Sequence, residues 1–125
     1  MKIALSLSGY LNSTRDKSSH GIDGFDHIKN KILDNNDVDV YIHSWDIPNQ
    51  NLIENMYKDW IKDCKFEKQI DFMPVFYANK LDQIRHNPGY NHFSNVFSQY
   101  YSIQESFRLI KHEYDIVIRA RFDLL

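Results

Sequence analysis

Strand-like and helix-like segments alternate along the chain, and that order predicts an α/β fold: a mostly parallel sheet with helices on its faces. Three observations carry the prediction. Lys2–Leu7 is an apolar run and Val38–His43 alternates apolar and polar side chains, both of which suit strands. Ile116, Val117 and Ile118 form a β-branched run near the end of the chain. Between these lie segments whose apolar residues recur at spacings of three and four.

Lys2–Leu7 reads as the first and central strand, stopped by Ser8-Gly9. Tyr10 to Gly24 is polar and reads as a loop at the carboxyl end of that strand. A helix follows from Ile22 or Asp23 to Asn35, with Phe25, Ile28, Ile32 and Leu33 on one face. Val38–His43 is the second strand; it runs into Ser44-Trp45-Asp46 and a turn at Pro48-Asn49. Leu52–Ile61 is amphipathic, with Leu52, Ile53, Met56, Tyr57, Trp60 and Ile61 on one stripe. Cys64–Ile70 alternates as a short third strand. Asp71–Tyr90 is punctuated by Pro74 and Pro88-Gly89, with room for a helical turn or two around Asn79–Arg85. Phe93–Ile110 carries the longest helical pattern, through Phe93, Val96, Phe97, Tyr100, Ile103, Phe107 and Ile110.

The last strand changes character along its length. Three consecutive β-branched residues suit a strand covered on both faces. Arg119, Arg121 and Asp123 then alternate with Ala120 and Phe122, which puts the three charges on one side. In an open parallel sheet, ligands sit beyond the carboxyl ends of the strands. Three such ends carry polar residues here: Ser8-Gly9, His43-Ser44-Trp45-Asp46, and Arg119, Arg121 and Asp123. Glycine lets backbone amides approach a ligand. Arginine binds phosphate oxygens in bidentate fashion. A carboxylate holds a divalent cation or accepts from ribose hydroxyls. The set suits a nucleoside diphosphate.

Composition sets the bounds. The chain has 125 residues, enough for one α/β domain over residues 1–125, with 26% charged and 42% hydrophobic residues. A net charge of −2 without basic runs argues against a nucleic-acid partner. The one cysteine, Cys64, excludes an internal disulfide and points to a reducing, cytoplasmic setting. The apolar part of Met1–Leu11 is short, interrupted by Ser6, Ser8 and Gly9, and followed by no cleavage site, so it reads as a strand and not as a signal peptide. No Walker loop, dinucleotide fingerprint or nucleophile elbow occurs.

Four blocks, MKIALSLSGYLN, DVDVYIHSWD, SQYYSIQESFRLIKHEYD and IVIRARFDLL, resemble a group of bacterial and viral glycosyltransferase-like proteins related to the GT-A nucleotide-sugar transferases. The resemblance implies a GT-A-like α/β domain with a nucleotide-sugar pocket at the carboxyl ends of its first strands. It implies hexosyl transfer from a nucleoside-diphosphate sugar to a glycan or lipid-linked acceptor, as in polysaccharide biosynthesis, in the cytoplasm or at the cytosolic face of a membrane. Ser8, Gly9, His43 and Asp46 would line the nucleotide, Arg119 and Arg121 the diphosphate. Asp123 matches the last Asp of the family's Asp-x-Asp signature and would hold Mn²⁺ or Mg²⁺ or the ribose. The place of the first Asp is Arg121, which leaves the metal or the arginines to neutralise the diphosphate. The family continues beyond this motif into an acceptor-binding half, so the chain reads as an N-terminal portion or a truncated product.

Plainer roles compete for the same residues. Arg119 and Arg121 can pair with acids on a solvated edge, Asp123 can cap a turn, His43 can be a satisfied core histidine, and Trp45 can be packing. Gln99, Tyr100 and Tyr101 read as structural, with Gln99 near the pocket. The functional alternative is a non-catalytic α/β module that self-associates, or pairs with another chain, through the open flank of its last strand.

Overall fold

A computed structural model describes residues 1–11, 20–72 and 90–123, without the side chains of 20–21 and 90–93. The elements are β1 (Lys2–Gly9), α1 (His20–Ile28) running into a π turn (Lys29–Leu33), β2 (Asp37–Ser44), a 3-10 turn (Ile47–Asn49), α2 (Gln50–Met56), β3 (Ile61–Phe66), α3 (Tyr90–Arg108) and β4 (Ile116–Arg121). The four strands form one sheet in the order β3-β2-β1-β4, and every neighbouring pair is parallel. The α/β prediction holds, with β1 in the interior as expected. The turn expected around Asn79–Arg85 lies outside the described residues.

The register makes the sheet two-faced. Ile3, Leu5 and Leu7 of β1 lie level with Val38, Val40 and Ile42 of β2 and with Ile116, Ile118 and Ala120 of β4. Strand side chains alternate, so these residues share a face. On that face all but the exposed Ile116 and the half-buried Ile118 form the core with Ile28 and Leu33 from the first helical segment, Ile53 and Tyr57 from α2 and its end, and Phe122, and Ile118 packs against it. Phe25 sets its ring edge-on to Tyr57 at 4.9 Å. The opposite face carries Ala4, Ser6 and Ser8 beside Asp39, Tyr41 and His43, and beyond them Val117, Arg119 and Arg121.

Helix α3 covers this second face over β1 and β2. Its apolar stripe is not what it buries. Phe97, Tyr100 and Phe107 stand 40%, 69% and 41% exposed, whereas Ser102, Glu105 and Ser106 are buried. Serine is small enough to let a helix approach a strand closely, and the hydroxyls of Ser106 and Ser102 meet Ser6, the Gly9 N–H and His43. Ser106 Oγ donates to Ile103 O at 2.8 Å, so the 2.6 Å contact between Ser6 and Ser106 has Ser6 as donor. The helical period placed α3 correctly, but the polarity of the sheet face beneath decides which side turns inward.

Three other expectations shift for local reasons. The third strand begins at Ile61 rather than Cys64. Val40 pairs with Ile61 and Tyr41 with Asp63, so Lys62 is a bulge that resets the alternation. Helix α2 stops at Met56, and Tyr57–Trp60 form a turn that feeds β3. The last strand is not covered on both faces: β4 lies at one edge of the described sheet, with Ile116 39% and Val117 45% exposed on opposite sides. It is fixed at its start by Asp115, whose N–H donates to Lys2 O at 2.9 Å and whose carboxylate accepts from Lys2 N–H at 2.7 Å.

Gly24 fixes the far end of β4. A Cβ at this position would lie 2.1 Å from Phe122 O and 3.1 Å from Asp123 Cα. The backbone of α1 thus packs directly on the turn that carries Asp123, an approach no other residue permits. Gly24→Ala should destabilise the fold by about 2–3 kcal/mol, as overpacking does, measurable as a lower urea midpoint with an unchanged m-value.

Candidate functional site

Because β1, β2 and β4 are parallel, their carboxyl ends meet at one edge of the sheet. A cavity of about 660 Å³ opens there, within the size range of small-ligand sites. The end of β1 supplies Ser8, Gly9 and Tyr10, β4 and its turn supply Arg119, Arg121 and Asp123, and α3 supplies Asn95, Gln99 and Ser102, with Trp45 and Gln69 also on the wall. Five of the seven residues expected at a ligand site line it: Ser8, Gly9, Arg119, Arg121 and Asp123. Gln99 reaches it as expected.

Gly9 has φ +101°, a conformation that side chains with a Cβ rarely adopt. It turns the chain out of β1 and splits its backbone polarity. Its N–H donates to Ser102 Oγ at 3.1 Å, and its C=O accepts from Ser44 Oγ at 2.6 Å.

His43 and Asp46 stand behind the wall. Asp46 Oδ2 accepts from Leu11 N–H at 3.2 Å and from Asn49 Nδ2 at 3.0 Å, tying the segment after Gly9 to the turn after β2. His43 is fully buried at the end of β2, edge-on to Trp45 at 4.8 Å. Its Nδ1 lies 2.6 Å from Ser102 Oγ and its Nε2 2.8 Å from Glu67 Oε1. Trp45 packs as the plainer reading expected, stacked on Tyr101 at 5.3 Å, yet it also lines the cavity.

The rim carries two cations and one acid among the described lining residues. Arg121 Nη2 donates to Asp123 Oδ2 at 2.9 Å, while Arg119 has no ion-pair partner among the described residues. Asp123 is the one carboxylate on the described wall and is already engaged. No three His, Cys, Asp or Glu side chains group as a metal site among the described residues. A divalent ion at Asp123 would take most of its ligands from phosphate oxygens and water. No helix of the described residues is long and apolar enough to cross a membrane. Comparison of the chain with protein-family profiles, with curated proteins and with solved structures finds no match.

Sequence reading passed over Ser102 and Glu67. The signal for Ser102 is faint: Ser98, Ser102 and Ser106 recur at spacings of four on the longest helix. Glu67 lies in a charged stretch just past β3, and only the parallel pairing of β3 with β2 brings it to His43.

Burial lowers the pKa of His43 against the opposing pull of Glu67. Burial also opposes ionisation of Glu67, but hydrogen bonds from His43 and Tyr101 and the charge of Lys65 outweigh it and hold its carboxyl below the ordinary value. An unfolded chain therefore protonates His43 before the folded protein does. The stability owed to neutral His43 is full above about pH 6.5 and is lost as pH falls toward the lowered folded value. The melting temperature should fall between pH 7 and pH 5.5, and His43→Gln should flatten that slope; calorimetry across the range checks both.

Proposed function

We propose that the cavity binds a nucleoside-diphosphate sugar and that the protein takes part in glycosyl transfer to a glycan or lipid-linked acceptor, in keeping with the GT-A-like resemblance of its sequence. The observation that carries the reading is Arg119 and Arg121 on the same cavity wall as Ser8 and the positive-φ Gly9. Parallel strand ends present a backbone that a diphosphate can approach, and guanidinium groups neutralise it. The amides of Asn95 and Gln99 and the ring of Trp45 offer the hydrogen bonds and apolar contact that sugars and bases take up.

Diphosphate charge falls first to the arginines. Asp123 is occupied by Arg121, so a cation contributes little to binding through the protein itself. Titration calorimetry with UDP-, GDP- and CMP-sugars should give saturable binding for at least one donor, with an affinity that EDTA changes less than Arg119→Ala does. Arg119→Ala should weaken binding by roughly tenfold or more, the loss of a hydrogen bond between charged groups. No heat with any donor, with or without Mn²⁺, overturns the reading.

A second reading, self-association through the edge strand, is favoured by the exposed Ile116 and Val117 on β4. An open strand edge pairs readily with another chain. Light scattering should then show a dimer that Val117→Lys converts to monomer. A monomer at all concentrations removes this reading and leaves the first intact.

A further inference from the structure

Polar groups in and behind the cavity wall form a chain with a fixed direction. Gly9 N–H can only donate, and it donates to Ser102 Oγ at 3.1 Å. At the other end Glu67, ionised at neutral pH, can only accept, and it lies 2.8 Å from His43 Nε2. The proton of the neutral imidazole therefore sits on Nε2 and leaves a lone pair on Nδ1. Ser102 Oγ is 2.6 Å from that lone pair, whereas its alternative acceptor, His43 O, is 3.4 Å away. The hydroxyl proton points at Nδ1. A hydroxyl, a neutral imidazole that accepts its proton, and a carboxylate that orients the imidazole are the parts of an activated serine nucleophile.

Position adds to the geometry. Ser102 is 1% exposed, but it forms part of the cavity wall. His43 is sealed from solvent by Trp45 and Tyr101, whose rings stand edge-on to it at 4.8 and 5.8 Å. Glu67 receives a second hydrogen bond from Tyr101, which holds the carboxylate in place.

We propose that Ser102, His43 and Glu67 are a nucleophile, base and orienting acid that act on a carboxylic ester held in the cavity, an activity separate from nucleotide-sugar binding. Ser102 Oγ attacks the ester carbonyl carbon and gives its proton to His43 Nδ1. The carbon–alkoxide bond breaks, and the leaving alkoxide takes that proton and departs as alcohol. Water then attacks the acyl–Ser102 ester, its proton passing through His43 back to Ser102 Oγ, and the carboxylic acid leaves. Ester and water become acid and alcohol. The negative charge on the tetrahedral carbon's oxygen forms in a cavity whose cations, among the described residues, are Arg119 and Arg121, so esters with an anionic group are favoured.

An alkyl fluorophosphonate tests this directly, since the same oxygen displaces fluoride from phosphorus and leaves a stable adduct. The folded protein should gain one adduct, mapped to Ser102 by peptide mass spectrometry. Ser102→Ala should abolish it, and His43→Gln should slow it by about a hundredfold, the order of a lost general base. Glu67→Gln keeps the hydrogen-bonding shape at a partly exposed position; it should keep the wild-type circular dichroism and still slow labelling. Should Ser102→Ala fail to fold, the mapped adduct and Glu67→Gln decide the matter. No adduct, an adduct at another residue, or labelling at the wild-type rate in folded Glu67→Gln overturns the proposal. Nucleotide-sugar titration reads independently of each of these outcomes.

Discussion

A polar group buried between a helix and a sheet must find its partner in that interface or cost the full desolvation of an unpaired dipole. The face of the sheet beneath α3 is built on that constraint. Ser6, Ser8, Tyr41 and His43 project from it, and α3 answers with serines and Glu105 instead of its aromatic stripe. Tyr41 meets Tyr114, whose hydroxyl donates to Asp39 at 2.7 Å, and so is satisfied at the far edge of the same face. The apolar face on the other side carries the core, where the Tyr57 hydroxyl is buried without a partner among the described residues. Hydrophobic burial thus stabilises one side of the sheet, and directional bonds fix the position of α3 on the other.

The cavity follows from where that cover lies. Helix α3 runs over β1 and β2, and β4 extends the sheet beyond them. Arg119 and Arg121 stand on the α3 face of β4, exposed beside the helix and level with Ser6 and Ser8. Trp45, stacked on Tyr101, bounds the space on the β2 side. A strand that is apolar at its start and charged at its end is suited to this edge position: its first residues need no full cover, and its last two arginines need water or a ligand. The sharp approach of Gly24 to Phe122 then holds the turn bearing Asp123 beside the arginines.

Much of this was legible in the chain. The alternation of Ile3, Leu5 and Leu7 against Ala4, Ser6 and Ser8 already divides the two faces, and the alternation of Arg119 with Arg121 assigns both to one of them. Parallel strands joined by helices bring the three polar ends together without further information. Period and topology, however, say nothing of what lies behind a wall. His43 and Asp46 belong to the right strand end but turn inward, because each meets a partner from a distant segment: Ser102 lies 59 residues from His43, and Leu11 lies 35 from Asp46. The position of β4 was equally hidden, since three β-branched residues read as buried on both faces until the strand order is known. The aromatic stripe on α3 misled for a related reason: hydrophobic periodicity presumes an apolar floor, and this floor is polar.

Charge at the rim sets what the cavity can accept. Two guanidinium groups face one carboxylate, which leaves one net positive charge among the described lining residues. The Arg121–Asp123 pair is exposed on the arginine side, 60% by side chain, so water already screens it and parting the two costs little. An arriving anion can therefore draw Arg121 from Asp123 and engage both arginines together. A neutral ligand gains nothing from that exchange, and a cation must displace Arg121 from the same carboxylate while facing Arg119. In the proposed reading, the ion pair at the end of β4 would act as a reserve of positive charge, neutral at rest and released by a diphosphate arriving at the strand ends and the Gly9 turn.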